Sequence, residues 1–244
     1  MKRIFILGIL VTLGISGSIL RNFMTRFAEV QERLKTAAQQ IAPSLKTAVE
    51  ESSASWGAPV FIRAFKEERE LEVWIKEDEK ETFTLLRTYP IVAASGTLGP
   101  KLAEGDRQVP EGFYFVPPSM MNPHSRFHLA FNIGYPNEFD QAHGRTGTFI
   151  MVHGSNVSIG CLAMTDDKIE EIYSICDAAF ENGQRFFRVH IFPFRMSEEK
   201  LALHANSEWS DFWGNLLEGY QWFEDKKAPP NIILEEKRYV IDEN

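Results

Sequence analysis

The chain contains little cysteine and no excess of positive charge. Its 244 residues include only two cysteines, Cys161 and Cys176, too few for a disulfide scaffold. The 26 Lys and Arg residues are outnumbered by 34 Asp and Glu, so the net charge is −8 at pH 7. This balance excludes the basic face of a nucleic-acid-binding protein, and no nucleic-acid partner is expected. The absence of a repeat of about 20 to 50 residues excludes a solenoid.

Charge is also missing near the N-terminus. After Met1-Lys2-Arg3, the 17 residues from Ile4 to Leu20 carry no charge. A basic start followed by an apolar run predicts export, with residues 1–22 as a signal sequence or a membrane anchor. The run is near the lower limit of about 17 residues for a span. No cysteine follows it, which excludes lipid attachment there. We expect a protein of the periplasm or cell envelope, anchored to the inner membrane if this run is retained.

Residues 23–55 are predicted to form a helical stalk and linker. Apolar residues recur there at steps of four and three, which is typical of a coiled-coil seam. The alternative is one amphipathic helix that folds back on the domain. Ser52 to Pro59, with its serines, Gly57 and Pro59, predicts a linker. The residues of the seam are Phe23, Phe27, Val30, Leu34, Ala37 and Ile41.

A domain rich in strands is predicted over residues 56–196. Its first strands are Val60–Phe65, Leu71–Ile75 and Phe83–Leu86, and the short charged segments between them predict consecutive hairpins. Further strands are predicted at Tyr89–Ala94, Gly112–Val116, Phe127–Ile133, Thr148–Val152 and Phe186–Phe192.

Helices are predicted to follow and to flank these strands. The clearest begins at Thr165 or Asp166 and ends at Asn182-Gly183, with an apolar stripe at helical spacing. Residues 197–244 are assigned to C-terminal helices, Ser197–Ala205 and Trp209–Phe223, and a tail without a functional signal. The expected fold is mainly β with flanking α-helices, built on a mixed or antiparallel sheet.

The stretch from Thr148 to Asp166 has the composition of a thiol active site. An apolar run with strand character ends at His153, and Cys161 comes just before the predicted helix start. A neighbouring imidazole and a helix N-terminus both favour the reactive thiolate, so Cys161 is the candidate nucleophile and His153 the candidate base. The candidate oxyanion donors are backbone N–H groups of a tight turn from Ser158 through Ile159 and Gly160 to Cys161, and Gly154 is a further candidate for oxyanion binding or substrate positioning.

The same residues carry a resemblance to a known family. His153-Gly154, then Ser158-x-Gly160-Cys161-x-x-Met164, is similar to the signature of the L,D-transpeptidase catalytic domain (YkuD-like). Glu104-Gly105-Asp106 and Gly134-Tyr135-Pro136-Asn137 resemble other segments of that family, so the likeness spans about residues 60–195. The resemblance implies a β-rich catalytic domain that carries out acyl transfer on peptidoglycan stem peptides without a cofactor. It also implies that a backbone carbonyl, that of Gly154, holds the second ring nitrogen of His153.

Two departures from the family pattern affect the expected reaction. Cys161 follows His153 by only eight positions, where family members usually have a longer insertion, and Ala163 stands where many have an arginine. Both features resemble a short-loop branch whose members include hydrolases that detach a lipoprotein from peptidoglycan. That hydrolysis, with an envelope lipoprotein as a partner, is the alternative function. Arg145 is the preferred replacement for the missing arginine as a contact for a substrate carboxylate, and the other candidates are Arg126, Arg188 and Arg195.

Three further alternatives remain open. The chain could be a non-catalytic peptidoglycan-binding module, or a thiol protease acting on ordinary L-peptides. His124 and His128 are four apart but lack the other residues of a zinc motif, so no metal site is expected. Cys176 lies on the apolar stripe of its helix and is predicted to be a core residue, although a disulfide with Cys161 would be compatible with an oxidising compartment.

Overall fold

The computed structural model describes residues 43–242 together with Arg21, Met24 and Thr25. The chain divides into two units, Met1–Gln40 and Ile41–Asn244, and the second contains everything described below. The predicted leader, Ile4 to Leu20, and the predicted seam lie outside the described residues. Within the described part of the chain, no helix is long and apolar enough to span a membrane.

The second unit combines three sheets with helices of very different lengths. Its helices are α1 Glu138–Ala142, α2 Asp166–Glu181, α3 Glu198–Leu203 and α4 Ser210–Lys226, besides a 3₁₀ turn at Pro118–Met120 and a helical segment at 43–51. Its strands are β1 Val60–Phe65, β2 Glu70–Lys76, β3 Phe83–Pro90, β4 Gly112–Val116, β5 Met121–Asn122, β6 Ala130–Asn132, β7 Met151–His153, β8 Leu162–Ala163, β9 Phe187–Phe192, β10 Asn231–Glu235 and β11 Arg238–Asp242.

The main sheet has five strands in the order β3-β2-β1-β9-β4. Strands β1 and β9 are parallel and the other neighbours are antiparallel, so the prediction of a mixed sheet with flanking helices is confirmed. The description as mainly β is not, because helices contribute about as many described residues as strands. The predicted strand at Tyr89–Ala94 is wrong, since β3 continues to Pro90 and pairs Tyr89 with Leu71.

A second sheet of four short strands, β5-β6-β7-β8, carries the stretch that contains His153 and Cys161. Strands β7 and β8 are parallel, with Val152 opposite Leu162 and His153 opposite Ala163. The sequence predicted longer strands here. Positive φ angles at His128 (70°) and Phe149 (56°) interrupt the extended backbone on the N-terminal side of β6 and β7 and shorten both strands.

Helix α2 follows β8 and packs against β1 of the main sheet and against β6 and β7 of the small sheet. Its bounds agree with the prediction, and Ile169, Ile172 and Cys176 are fully buried. Thr165 is the N-cap residue, but its side chain makes no capping hydrogen bond to a helical N–H group. The helix begins directly after the candidate site and fixes its C-terminal end.

The opposite face of the main sheet is covered by the C-terminal segment. Phe223 of α4 packs edge-on against Trp74 and tilted against Phe61, with ring centroids 4.8 Å apart in both pairs. No strand was predicted in the tail, but residues 231–242 form the hairpin β10–β11. Tyr239 of this hairpin is 5% exposed and stacks on Phe139 at 4.2 Å. The sequence of the hairpin mixes charged and apolar residues, and each strand is too short for its alternation to be distinguished from a loop.

Residues 43–59 also lie against the domain. Leu45 and Val49 are fully buried, and Val49 belongs to a cluster with Ala54, Ala58 and Ile75. The N–H group and hydroxyl of Ser55 donate to the carboxylate of Asp78. This part of the predicted stalk and linker is therefore packed structure, and the compact unit includes it.

Buried ion pairs join the main sheet to its cover. Arg63 donates to Glu72 at 2.8 Å and to Glu224 of α4 at 2.6 Å, and the side chains of Arg63 and Glu72 are each 3% exposed. Glu111 is fully buried and accepts from Lys66 at 2.9 Å and from the indole of Trp213 at 2.7 Å. These pairs satisfy charges that burial would otherwise penalise.

Candidate active site

His153 ends β7 with its imidazole almost enclosed. It is 2% exposed, and its ring lies 4.7 Å from that of Phe127. Nδ1 is 2.5 Å from the carbonyl oxygen of Gly154, which is the hydrogen bond that the family resemblance implies. A carbonyl can only accept, so Nδ1 carries the proton and the neutral ring has Nε2 free to act as a base. Burial lowers the pKa of His153 below its usual value, against the opposing effect of the Gly154 carbonyl.

Cys161 immediately precedes β8, the strand that pairs with β7, which His153 ends. Its sulfur accepts a hydrogen bond from the N–H of Met151 at 3.4 Å, and its thiol donates to the carbonyl of Phe149 at 3.6 Å. Burial raises the pKa of Cys161, and the Met151 N–H and the charge of Lys101 only partly oppose this. The sequence predicts a stabilised thiolate at Cys161, whereas in this structure the effect of burial prevails and favours the neutral thiol.

The turn before Cys161 is held by two serine hydroxyls. Ser158 Oγ accepts from the N–H of Cys161 at 3.0 Å and donates to the Cys161 carbonyl at 2.6 Å. The N–H of Gly160 donates to Ser95 Oγ at 2.6 Å. Two of the candidate oxyanion donors are therefore occupied by hydroxyl groups, which a substrate oxygen can replace. Ile159 is 75% exposed, at the outer edge of the turn.

Gly154 provides room rather than an oxyanion donor. Its N–H donates to the carbonyl of Leu129 at 3.1 Å. A Cβ at this position would lie 2.6 Å from Asp166 Oδ1 and 2.7 Å from the carbonyl oxygen of Phe127. Glycine is needed here because the backbone of the 127–129 segment approaches closely on one side and the start of α2 on the other.

Strained backbone surrounds the two candidate catalytic residues. Phe149, Ser155 and Thr165 have φ angles of 56°, 65° and 71°, a region that non-glycine residues rarely adopt. The N–H of Ser155 donates to the Asp166 carboxylate at 2.7 Å and its carbonyl accepts from the N–H of Thr165. Such strain is typical of functional sites, where surrounding contacts hold an otherwise unfavourable geometry.

The segment from Ser95 to Gln108 lies against the site and contains residues that the sequence analysis missed. Lys101 is 4% exposed, and its ammonium group donates to Asp106 at 2.6 Å. Burial would raise the pKa of Asp106, but backbone N–H groups and Lys101 lower it to about 2. Ser95 and Lys101 are about 60 residues before Cys161, with no motif that marks them. Only the fold brings them to the thiol.

Arg145 does not lie free at the rim of a cleft. Its side chain is 6% exposed and donates to the fully buried carboxylate of Asp140 at 2.8 Å. The guanidinium also packs over the rings of Phe139 and Phe212. This placement does not support the predicted contact with a substrate carboxylate, because the charge of Arg145 is already paired inside the protein.

The histidine pair does not form a metal cluster in the described part of the chain. His128 Nε2 pairs with Glu170 of α2 at 2.6 Å, and no group of three or more His, Cys, Asp or Glu side chains there is arranged to hold a metal. Cys176 is a free, fully buried thiol, as predicted for a core residue.

Comparison with known proteins identifies the family. The family model for the L,D-transpeptidase catalytic domain (YkuD) matches residues 59–191. The chain belongs to the YkuD family of L,D-transpeptidases. YafK of Escherichia coli (strain K12) is 44% identical over 185 residues, which cover 76% of this chain and 74% of YafK. YafK of Escherichia coli O157:H7 matches to the same extent.

Solved structures with a similar arrangement are more distant in sequence. The helical cell shape determining protein Pgp2 from Campylobacter jejuni is 20% identical with a TM-score of 0.45, covering 82% of this chain and 84% of that one. Bd1075 from Bdellovibrio bacteriovorus is 23% identical with a TM-score of 0.40, covering 73% of this chain and 78% of that one.

Membership of the YkuD family makes the chain an enzyme that acts on peptidoglycan, in a family whose members generally work in the envelope or periplasm.

Proposed function

We propose that this YkuD-family enzyme transfers acyl groups of peptidoglycan stem peptides through a thioester on Cys161, with His153 as acid and base. The observation that carries the proposal is the fixed tautomer of His153. Its Nδ1 donates to the carbonyl of Gly154, and the strand that it ends is paired in parallel with the strand that Cys161 precedes. A base with a free Nε2 beside a thiol is the arrangement that nucleophilic catalysis requires.

The first step requires a rotation of the thiol. The Cys161 S–H points to the carbonyl of Phe149, and turning it towards His153 lets Nε2 take the proton. The sulfur then attacks the carbonyl carbon of the stem peptide, and the negative charge moves to its oxygen. His153 returns the proton to the departing amine as the C–N bond breaks, which leaves the thioester. The raised pKa of Cys161 keeps the thiol protonated until this transfer.

The oxyanion of the first step would bind at the turn formed by Ser158, Ile159 and Gly160. The N–H groups of Gly160 and Cys161 donate to serine hydroxyls, and rotation of these hydroxyls would free both donors. Lys101 places a positive charge close enough to influence Cys161, which also favours negative charge in this region. Gly154 contributes through its carbonyl, which orients His153.

An amine that attacks the thioester completes a transpeptidation, and water completes a hydrolysis. The surroundings of Cys161 favour access by water, since Phe149, Val157 and Ile159 are 74%, 57% and 75% exposed. Hydrolysis of the link between peptidoglycan and an envelope lipoprotein, or of cross-links, is therefore the second candidate reaction. We place the enzyme in the periplasm or cell envelope, with Ile4 to Leu20 as its export signal or tether and 56–196 as its catalytic domain.

The test is incubation of the full chain with intact sacculi and with sacculi that carry covalently attached lipoprotein. Mass spectrometry of the muropeptides then distinguishes the outcomes. New cross-links establish transpeptidation, and lost cross-links or released lipoprotein establish hydrolysis. A trapped acyl-enzyme at Cys161 is expected in both cases.

Two cysteine variants provide the controls. Cys161→Ser is expected to lose turnover by at least about a thousandfold, because a hydroxyl is a much weaker nucleophile at neutral pH. Cys176→Ala is expected to retain turnover, because this thiol is fully buried in α2. Unchanged sacculi with wild-type protein, or turnover by Cys161→Ser, would contradict the proposal and favour a binding module.

A further inference from the structure

A cavity of about 230 Å³ lies between the main sheet and the C-terminal hairpin. Its walls come from β4 and β9 of the sheet, from the region of α1 and from β10. Pockets for drug-sized ligands are about 300–1,000 Å³, so the cavity suits a smaller molecule. The side chains used below are Phe115, Phe186, Arg188, His190 and Ile233.

Arg188 brings an unpaired positive charge to this cavity. In the described part of the chain its guanidinium donates only to the amide oxygen of Asn231, at 3.3 Å, and has no carboxylate partner. Arg63 projects from the neighbouring strand β1 and is satisfied by two carboxylates within 2.8 Å. Burial lowers the pKa of Arg188, because its charge is partly removed from water. An anion bound to Arg188 would therefore gain more interaction free energy than an anion bound to an exposed arginine.

His190 adds a buried polar group without a partner. It is 1% exposed, and no hydrogen-bond partner for its Nδ1 is found in the described residues. Burial and the charges of Arg188 and Arg63 hold the pKa of His190 well below its usual value, so the ring is neutral. A buried imidazole without a partner loses the free energy of a hydrogen bond.

The mouth of the cavity is apolar. Phe115, Phe186 and Ile233 are 57%, 39% and 38% exposed, and the two phenyl rings are 5.6 Å apart. The guanidinium carbon of Arg188 lies 5.2 Å from the ring of Phe186. The lining includes one acidic side chain, that of Glu138, and this residue is exposed to solvent. A cation beside exposed aromatic rings suits a ligand with one negative end and one apolar end.

We infer that this cavity binds a small carboxylate attached to an aromatic or aliphatic body. Its carboxylate would accept from Arg188, and its apolar part would cover Phe115, Phe186 and Ile233. The site lies on the face of the main sheet that α4 covers, whereas α2 and the small sheet with Cys161 pack on the other face. Binding here therefore does not depend on the reaction at Cys161.

The test uses 3-phenylpropionate and its uncharged amide, 3-phenylpropionamide, with the full-length protein. Isothermal titration is expected to show one saturable site for the carboxylate, with the amide at least about tenfold weaker because it lacks the charge. Imidazole ¹⁵N spectra are expected to show a shift for His190 on saturation, and none for His128, which pairs with Glu170.

Matched variants locate the site. Arg188→Gln is expected to weaken the carboxylate at least about tenfold, and Arg185→Gln, at an exposed position outside the lining, to leave it unchanged. Ile233→Glu at the exposed mouth tests the same site by repulsion without altering a buried group. Absence of saturable binding up to about 10 mM would overturn the inference. Equal binding of acid and amide, or equal binding by wild type, Arg188→Gln and Ile233→Glu, would do so as well.

Discussion

The two faces of the main sheet are organised by different forces. On the face covered by α4, Arg63 is paired with Glu72 and Glu224, and aromatic rings of the sheet and the helix pack at 4.8 Å. On the side of α2 and the small sheet, strands of two or three residues carry the site, and they are flanked by non-glycine residues with positive φ angles, which are His128, Phe149, Ser155 and Thr165. Burial and ion pairing stabilise the first face, whereas local hydrogen bonds and strained backbone shape the site.

This difference predicts that substitutions separate into two classes. Changes under the C-terminal cover should alter the free energy of unfolding while the chemistry of Cys161 stays as it is. Changes at the polar and exposed positions of the 149–166 stretch should alter turnover more than stability, because the apolar area of this stretch is buried by other residues, such as Ile150, Val152 and Leu162.

The largest effect on stability is expected from Arg63→Met. It removes the two hydrogen bonds that Arg63 donates to the buried carboxylate of Glu72, which keeps its ion pair with Arg195 at 2.7 Å, and the expected cost is about 3 kcal/mol of unfolding free energy. Urea denaturation measures the loss. Arg238→Met is the matched control, because the side chains of Arg238 and Glu218 are 58% and 52% exposed and such pairs contribute about 0–1 kcal/mol. Equal losses of unfolding free energy in both variants would show that the packing of α4 on the main sheet does not depend on the buried ion pair.

Gly154→Ala is expected to lower both the free energy of unfolding and the turnover. The added Cβ collides with Asp166 and with the backbone of Phe127, at a cost of about 1–3 kcal/mol. It also displaces the carbonyl that orients His153, so kcat should fall by about 10- to 100-fold. Gly214→Ala in α4, with nothing within 4 Å of the new Cβ, should instead stabilise by about 0.5–1 kcal/mol. Destabilisation of the two variants to the same extent would contradict the argument.

The two cysteines are expected to differ in their accessibility to a thiol reagent. Native protein without reductant should react with a disulfide reagent at one thiol, Cys161, and unfolded protein at two, because Cys176 is fully buried. Cys176→Ala should cost about 1 kcal/mol through the lost volume. A native count of zero would indicate a disulfide and contradict the free thiols of the structure.

The smallest effects are those of pH. In the proposed mechanism neutral His153 is the active form, so kcat/KM should rise with pH through a pKa below 6.5. The unfolded chain binds the extra proton between that pKa and 6.5, so the free energy of unfolding also rises with pH across this window. Alkylation of Cys161 in the free enzyme should reach half of its maximal rate above pH 9.0. A thiol inflection below 9.0 would show that His153 already lowers the Cys161 pKa.

Local sequence patterns predicted the elements whose signal lies within one segment. The hairpins from Val60, strand Gly112–Val116 and helix Asp166–Glu181 follow from apolar periodicity and from turn and cap residues. The hairpin Asn231–Glu235 with Arg238–Asp242 was missed, because its burial comes from contacts with α4 and α1 that are distant in sequence. Asn215 of α4, for example, exchanges two hydrogen bonds with the backbone of Tyr239.

The same limit applies to the candidate site. Cys161 and His153 became candidates because they lie within nine residues of one motif, and the bond of His153 to the Gly154 carbonyl was expected only from the family resemblance. Ser95 and Lys101 could not, since only the packing of the 95–108 segment brings them near the thiol. Arg145 was chosen because it precedes β7 in sequence, but position along the chain did not reveal that Asp140 already binds it.

The parallel pairing of β7 and β8 has a consequence for how this enzyme can evolve. The register of His153 against Ala163 is set by the strands, while Asn156 and Val157 protrude from the connecting loop as exposed residues. Extra residues inserted between them would lengthen the loop at a small entropic cost, about 0.6 kcal/mol for each doubling. Such insertions would leave His153 at the end of β7 and Cys161 next to β8. The eight-position spacing is then a minimal version of the site, onto which substrate-selective loops can be added without rebuilding its chemistry.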